Sequence, residues 1–319
     1  MMTSDSVRDA FSSSSTADEV LAGVDLRDRS AVVTGASSGL GVETARALAA
    51  AGASVTLAVR DTDRGEAVRA QIEGRTGNRR LDVQQLDLSD LDSVRSFVER
   101  RQVPLDVLVA NAGIMNLPAR QLTPQGWEAQ FGTNHLGHFA LALGLHDRLA
   151  AGASARVVVL SSSAHQLGGL DLGDVGFERR PYDGWTAYGQ SKTANVLFAV
   201  GAATRWRADG IAVNAVHPGN IRTSLSRHTE MDPETTARFD AATWKTVEQG
   251  AATSVLLAGS PIVDGVTGQY FEDARPAEVV FEPADHGVLS AALDPTTADE
   301  LWDFSLEAVR RGVRRPVRS

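Results

Sequence analysis

The chain has 319 residues, 43% hydrophobic and 22% charged, with a formal net charge of −9 and no cysteine. These are the figures of a soluble globular protein of one large or two small domains. They exclude disulfides, thiol nucleophiles and cysteine-metal sites, and the acidic balance argues against nucleic acid, which asks for a basic footprint. No apolar run approaches the roughly 20 residues that span a bilayer, and no basic-then-apolar leader is visible. A cytoplasmic enzyme with no membrane partner is expected.

Residues 1–23 are Ser-rich and acidic and read as a poorly ordered lead-in with one short helical turn. Residues 24–319 read as one domain. From Leu26 onward, short β-branched runs at Ala31–Thr34, Ser54–Val59, Val83–Leu86, Val107–Ala110, Arg156–Leu160 and Ile211–Ala215 alternate with long amphipathic or Ala-rich helical stretches. That alternation means a parallel sheet covered on both faces, a doubly wound α/β fold of the Rossmann kind. Gly268–Glu272 adds a last strand, and helical spacing returns over Thr296–Arg311 before a basic tail that reads as solvated.

The segment Thr34-Gly35-Ala36-Ser37-Ser38-Gly39-Leu40-Gly41 follows the first strand and opens a helix over Val42–Ala51. Glycines allow a tight turn and close backbone approach, and the helix N-terminus offers N–H groups to a pyrophosphate. A P-loop is excluded, because Lys-Ser/Thr does not follow the last glycine. The second strand ends in Arg60, with Asp61 after it. A guanidinium there suits a 2′-phosphate, so NADP(H) is expected over NAD(H). The alternative has Arg60 in solvent and Asp61 on the ribose.

Lysine is rare in this chain, occurring at Lys192 and Lys245 alone, yet one of the two stands four residues after Tyr188. In a helix these two share a face. An ammonium beside a phenol lowers the phenol pKa toward neutrality, which would ready Tyr188 to exchange a proton with a substrate oxygen. His135 and His138 stand at i and i+3 but have no third ligand at metal spacing, so no metal is expected. No Gly-x-Ser-x-Gly elbow supports hydrolase chemistry.

The Gly-x-x-x-Gly-x-Gly loop, Asn111-Ala112-Gly113 after a strand, and Tyr188-x-x-x-Lys192 follow one another in an order that resembles the short-chain dehydrogenase/reductase family over about Leu26–Glu272. The resemblance implies cofactor contacts from the glycine loop, from Asp87 and Leu88 at the adenine, and from Asn111–Gly113 beside the ribose. Pro218, Gly219, Ile221 and Thr223 would follow at the nicotinamide. It also implies a catalytic set of Asn134, Ser162, Tyr188 and Lys192. Tyr188 exchanges the proton, Lys192 tunes it and binds the ribose, Ser162 holds the carbonyl oxygen, and Asn134 holds a water. Which of Ser161, Ser162 and Ser163 faces inward rests on strand alternation, with Ser162 preferred.

Ser-Ser-x-Ala-His165, the Arg60-Asp61 corner and His217-Pro218-Gly219 are similar to retinol-dehydrogenase-like and WW-domain-oxidoreductase-like members. These act on lipophilic alcohols, aldehydes and ketones, usually with NADP(H), and this chain resembles their soluble bacterial relatives, some of them ketoreductases. The 26 residues from Ser162 to Tyr188 hold an insert, Ala164–Gly184, expected to loop out. The substrate rim is expected at 115–120, 164–185 and 223–245. Helices around Trp127–Leu149 and Trp185–Trp206 offer a homodimer face, unless the inserts and the C-terminal helix cover it. A non-catalytic, cofactor-binding regulatory protein is the competing reading.

Overall fold

The computed structural model describes residue 7 and residues 10–152, 154–222 and 244–312. Its centre is an eight-stranded sheet of order β3-β2-β1-β4-β5-β6-β7-β8. The strands are β1 (Ser30–Thr34), β2 (Ser54–Val59), β3 (Leu81–Gln85), β4 (Val107–Ala110), β5 (Arg156–Leu160), β6 (Ala212–His217), β7 (Tyr270–Glu272) and β8 (Arg275–Pro276). The first seven run parallel and β8 turns back antiparallel. This is the doubly wound fold.

Every residue of β4 and β5 is buried, as a strand covered on both faces requires. Successive residues serve opposite layers. Val33, Val109 and Val158 join Leu48, Leu256 and Phe271 on one face. Val32, Leu108 and Val157 join Phe97, Phe139 and Phe198 on the other. The helices are α1 (Ala17–Val20), α2 (Gly39–Ala50), α3 (Thr62–Thr76), α4 (Leu91–Arg100), α5 (Ala129–Phe131), α6 (Gly137–Gly144), α7 (His146–Ala150), α8 (Gly184–Arg205), α9 (Val247–Gly259) and α10 (Pro295–Gly312), with a π-helical turn, Gly132–Leu136, between α5 and α6. Strand order reverses between β1 and β4, which opens a crevice beyond their carboxyl ends.

Three features differ from the sequence-based expectation, and a fourth is one of the alternatives it left open. From Thr16 the lead-in is docked: Thr16 and Glu19 form a capping box on α1, the short helical turn expected there, and Ala17, Val20 and Leu21 are buried in the core. The insert packs rather than loops out. Asp171 N–H donates to Gln190 Oε1 at 3.1 Å, Gln190 Nε2 donates to the Val175 carbonyl, and Tyr182 donates to Glu128 at 3.2 Å.

Two further features lie beyond β7. The β7–β8 turn places Asp273 (φ 51°) and Ala274 (φ 58°) in the left-handed region, where Asn-Gly is the usual signature. The sequence therefore gave no turn warning, and β8, β9 (Val279–Val280) and β10 (Val288–Leu289) went unforeseen. Finally, α10 lies over the helices that offered a dimer face. Trp302 packs edge-on to Phe139 and Trp206, Phe304 meets Trp127 and Phe131, and Ser305 bonds His135. The basic tail beyond Gly312 lies outside the described residues.

Candidate active site

The crevice is a cleft of about 1050 Å³ running from the glycine loop past Tyr188 to an apolar rim. At its phosphate end Gly35 (φ 67°) and Gly39 (φ 56°) turn the chain in the left-handed region. Gly41 is required by contact: a Cβ there would stand 2.5 Å from the Gly35 carbonyl oxygen and 2.7 Å from Asn111 Nδ2. Ser38 occupies the N-cap of α2 in extended conformation without a side-chain cap bond, and no acid stands in the first turn. Ser37, Ser38 and Leu40 line the cleft here. Helix-terminal N–H groups beside glycines suit a pyrophosphate, so the residues fit a dinucleotide. Gly41→Ala should cost about 2–3 kcal/mol of stability through overpacking and weaken dinucleotide binding; chemical unfolding and cofactor titration check both.

At the end of β2, Arg60 is exposed and lines the cleft. Asp61 borders it too, but its carboxylate caps α3 by accepting from Arg64 N at 3.0 Å. Arg64, not singled out from the sequence, lines the same corner; its only signal was a position one helical turn after the cap. Asp87 accepts from the Ser89 N–H at 2.9 Å and hydroxyl at 2.7 Å, and Leu88 beside it is buried.

Asn111 Nδ2 donates to the Thr34 carbonyl at 2.7 Å, and the N–H groups of Asn111 and Ala112 both donate to Thr34 Oγ1 at 2.9 Å. With both lone pairs used, Thr34 gives its proton to His138 Nε2 (2.9 Å), and His138 Nδ1–H donates to the Asn134 carbonyl at 2.9 Å. His138 is thus a neutral strut, and burial pushes its pKa down to about 4. Asn134 sits in the π-helical turn. Its side chain is engaged: Oδ1 accepts from Ile114 N, and Nδ2 donates to the Ile114 carbonyl and Ser191 Oγ, each at 2.9 Å.

Strand alternation separates the three serines. Ser161 is buried and donates to the Lys192 carbonyl at 2.9 Å. Ser162 faces the cleft and accepts from Ala164 N at 3.1 Å, and its side chain is near enough to the Tyr188 phenol to draw that group's pKa down. Ser163 N–H donates to His217 Nδ1 at 3.3 Å. Tyr188 and Lys192 project from α8, whose N-terminus Asp183 caps by accepting from Thr186 N at 2.7 Å.

The electrostatics correct the expected tuning. Burial pushes the Tyr188 phenol up to about 12, with Ser162 pulling it partly back. The Lys192 ammonium donates to the Leu160 carbonyl at 3.0 Å and stands 5.5 Å from the Tyr188 ring centre. Burial brings it down to about 8. Burial disfavours both charged forms and is the leading cause of each shift.

Beyond β6, Pro218, Gly219 (φ 94°) and Ile221 line the far wall; Thr223 lies outside the described residues. The wall is braced by Lys245, whose N–H donates to the Asn220 carbonyl at 2.9 Å and whose Nζ pairs with Asp273 at 2.5 Å. Of the expected rim, Met115, Leu117, Leu167, Trp185 and Trp244 line the cleft, and Leu122 joins them from outside the anticipated stretch. Leu122 and Leu167 are 52% and 59% exposed, large for leucines.

A short chain dehydrogenase model matches residues 29–234. A protein of Streptomyces antibioticus described as a probable oxidoreductase is 54% identical over 299 residues, 90% of this chain and 99% of that protein. Human retinol dehydrogenase 14 is 37% identical over 299 residues, covering 88% and 86% of the two chains. Among solved structures, an uncharacterized protein from Mycobacterium paratuberculosis matches with TM-score 0.71 and 36% identity over 93% of this chain and 98% of its own. A short chain dehydrogenase from Shigella flexneri complexed with NADP matches with TM-score 0.59 and 27% identity, over 78% and 98%. The chain belongs to the short-chain dehydrogenase/reductase family. Within that family it falls in the retinol-dehydrogenase-like branch.

Proposed function

We propose that the protein is an NADP(H)-dependent carbonyl reductase or alcohol dehydrogenase acting on lipophilic substrates. The observation that carries this reading is that Ser162, Tyr188 and Lys192 line one cleft between a dinucleotide cradle and an exposed leucine rim. A bound nicotinamide would supply or accept the hydride. The protein supplies position, a proton and a polar partner for the reacting oxygen. Ser162 donates to the carbonyl oxygen where negative charge develops, and Tyr188 gives that oxygen its proton. Burial keeps the phenol in its protonated form at neutral pH, the form that donates to a carbonyl oxygen. Lys192 adds positive charge on the same side of the cleft, within reach of a ribose, and Asn134 fixes the 113–114 turn opposite it.

Arg60 and Arg64 supply the preference for NADP(H), since Asp61 is committed to capping. Replacing both arginines by Ala should weaken NADPH binding about a hundredfold, the ~3 kcal/mol of two charge-assisted hydrogen bonds, and leave NADH within about twofold. Fluorescence titration of both cofactors measures this, and equal affinities in the unaltered protein would refute the preference. The activity itself is tested by NADPH oxidation against aromatic, polyketide-like and long-chain carbonyls. Tight NADPH binding with no turnover across that panel favours a non-catalytic binder.

A further inference from the structure

The peptide joining Ser162 to Ser163 is held at both ends by buried or cleft-lining histidines that the reaction does not otherwise use. Its oxygen, the Ser162 carbonyl, accepts from His165 Nδ1 at 2.7 Å as well as from His165 N at 3.1 Å. Its nitrogen, on Ser163, donates to His217 Nδ1 at 3.3 Å. Donor counting fixes both rings. A carbonyl only accepts, so His165 carries its proton on Nδ1, and its bare Nε2 accepts from Leu289 N at 3.2 Å. His217 accepts on Nδ1, so its proton sits on Nε2. The two rings are opposite tautomers gripping one peptide.

We infer that His165 and His217 form a two-sided clamp on this peptide and are positioning residues that aim the Ser162 hydroxyl at Tyr188. The position needs one. The last sheet bond of this strand is Ser161 N–H to the Val216 carbonyl at 2.8 Å, so Ser162 is the first residue past the ladder, extended at φ −166° and ψ 158°. Fixing the following peptide plane fixes its ψ, and with it the setting of Oγ between Ala164 N–H and Tyr188. The clamp is itself anchored. Thr193 Oγ1, one residue past Lys192, donates to the His165 carbonyl at 3.0 Å, and the Tyr270 ring lies 5.1 Å from the imidazole. Burial lowers both imidazoles, His217 to about 3, which keeps them neutral at pH 7.

The inference rests on the reading of Ser162 above, and the tests separate the two. Nitrogen-15 spectra of histidine-labelled protein should show His165 as the Nδ1–H form and His217 as the Nε2–H form; the reverse at either ring overturns the clamp. With NADPH and 4-nitrobenzaldehyde as probe, His165→Asn keeps an amide donor where Nδ1 stands, whereas His165→Gln keeps only an acceptor for Leu289. His165→Asn should hold kcat within about threefold. His165→Gln should lose about tenfold, one hydrogen bond's share, with KM for NADPH unchanged and melting temperatures matched. His165→Gln performing as well as or better than His165→Asn makes the ring a mere anchor for Leu289 and ends the proposal. The His165→Gln loss should also shrink in a Ser162→Ala background, as coupled residues require. If Ser162→Ala retains full turnover, the serine's role fails first and the clamp with it. If it loses turnover but the His165 variants rank the other way, the clamp alone fails.

Discussion

Tyr188→Phe should lower kcat about a thousandfold, within the range of general acid catalysis, and leave NADPH affinity within about twofold. The phenyl ring fills the same buried place, so what is lost is one hydroxyl on the Ser162 side of the cleft. No other phenol can stand in. Tyr182 is engaged with Glu128 and Gln130, and Tyr270 lies buried against His165. The raised pKa adds a pH expectation. The proton-donating form of Tyr188 stays full through the neutral range and declines only as pH nears about 12, so reduction should show no loss from this group between pH 6 and 9. Single-turnover kinetics with a cofactor titration alongside decides the matter; turnover close to the unaltered protein's removes Tyr188 from the reaction.

The sequence was most informative where the physics is local. β2, β4 and β5 begin and end where the β-branched runs do, because a buried parallel strand is a continuous apolar run. β3 was displaced, Leu81–Gln85 against an expected Val83–Leu86, since an edge strand with half-exposed residues has a weaker pattern. The glycine loop, Asn111–Gly113, Ser162 and the Tyr188–Lys192 pair were all visible as motifs, and the structure gathers them around one cleft. What spacing could not show was charge. Tyr188 and Lys192 sit as expected along α8, but their pKa values follow from water excluded by the whole domain, not from their separation in sequence. His165 and His217 stand in the sequence only as marks of the branch, and Lys245 only as a rare lysine, because the role of each depends on a partner on another element, which no local pattern records. The insert was misjudged likewise, since its docking depends on Gln190 and Glu128.

Lys192→Met should abolish turnover and at the same time make the protein more stable at neutral pH, by about 2–3 kcal/mol. Burial alone brings the ammonium from its ordinary 10.5 to about 8; at about 1.4 kcal/mol for each tenfold, holding the charge inside costs about 3 kcal/mol. The sign follows from linkage. Between about 8 and 10.5 the unfolded chain binds the proton that the folded chain has released, so the unaltered protein gains stability as pH rises through that window. Below it, the folded state carries the full cost. A methionine side chain of similar length pays none of it and leaves no orphaned acceptor, because the Leu160 carbonyl still receives Asn195 Nδ2 at 2.9 Å. The advantage of the variant should therefore be largest at pH 7 and nearly gone by pH 10.5, as urea unfolding at the two values would show. A variant less stable than the parent at pH 7 would mean that the amine is compensated inside the fold. In that case the cleft holds Lys192 as a structural cation rather than as a strained group kept for chemistry, and a stability–activity trade-off of the kind active sites show would not apply to this position.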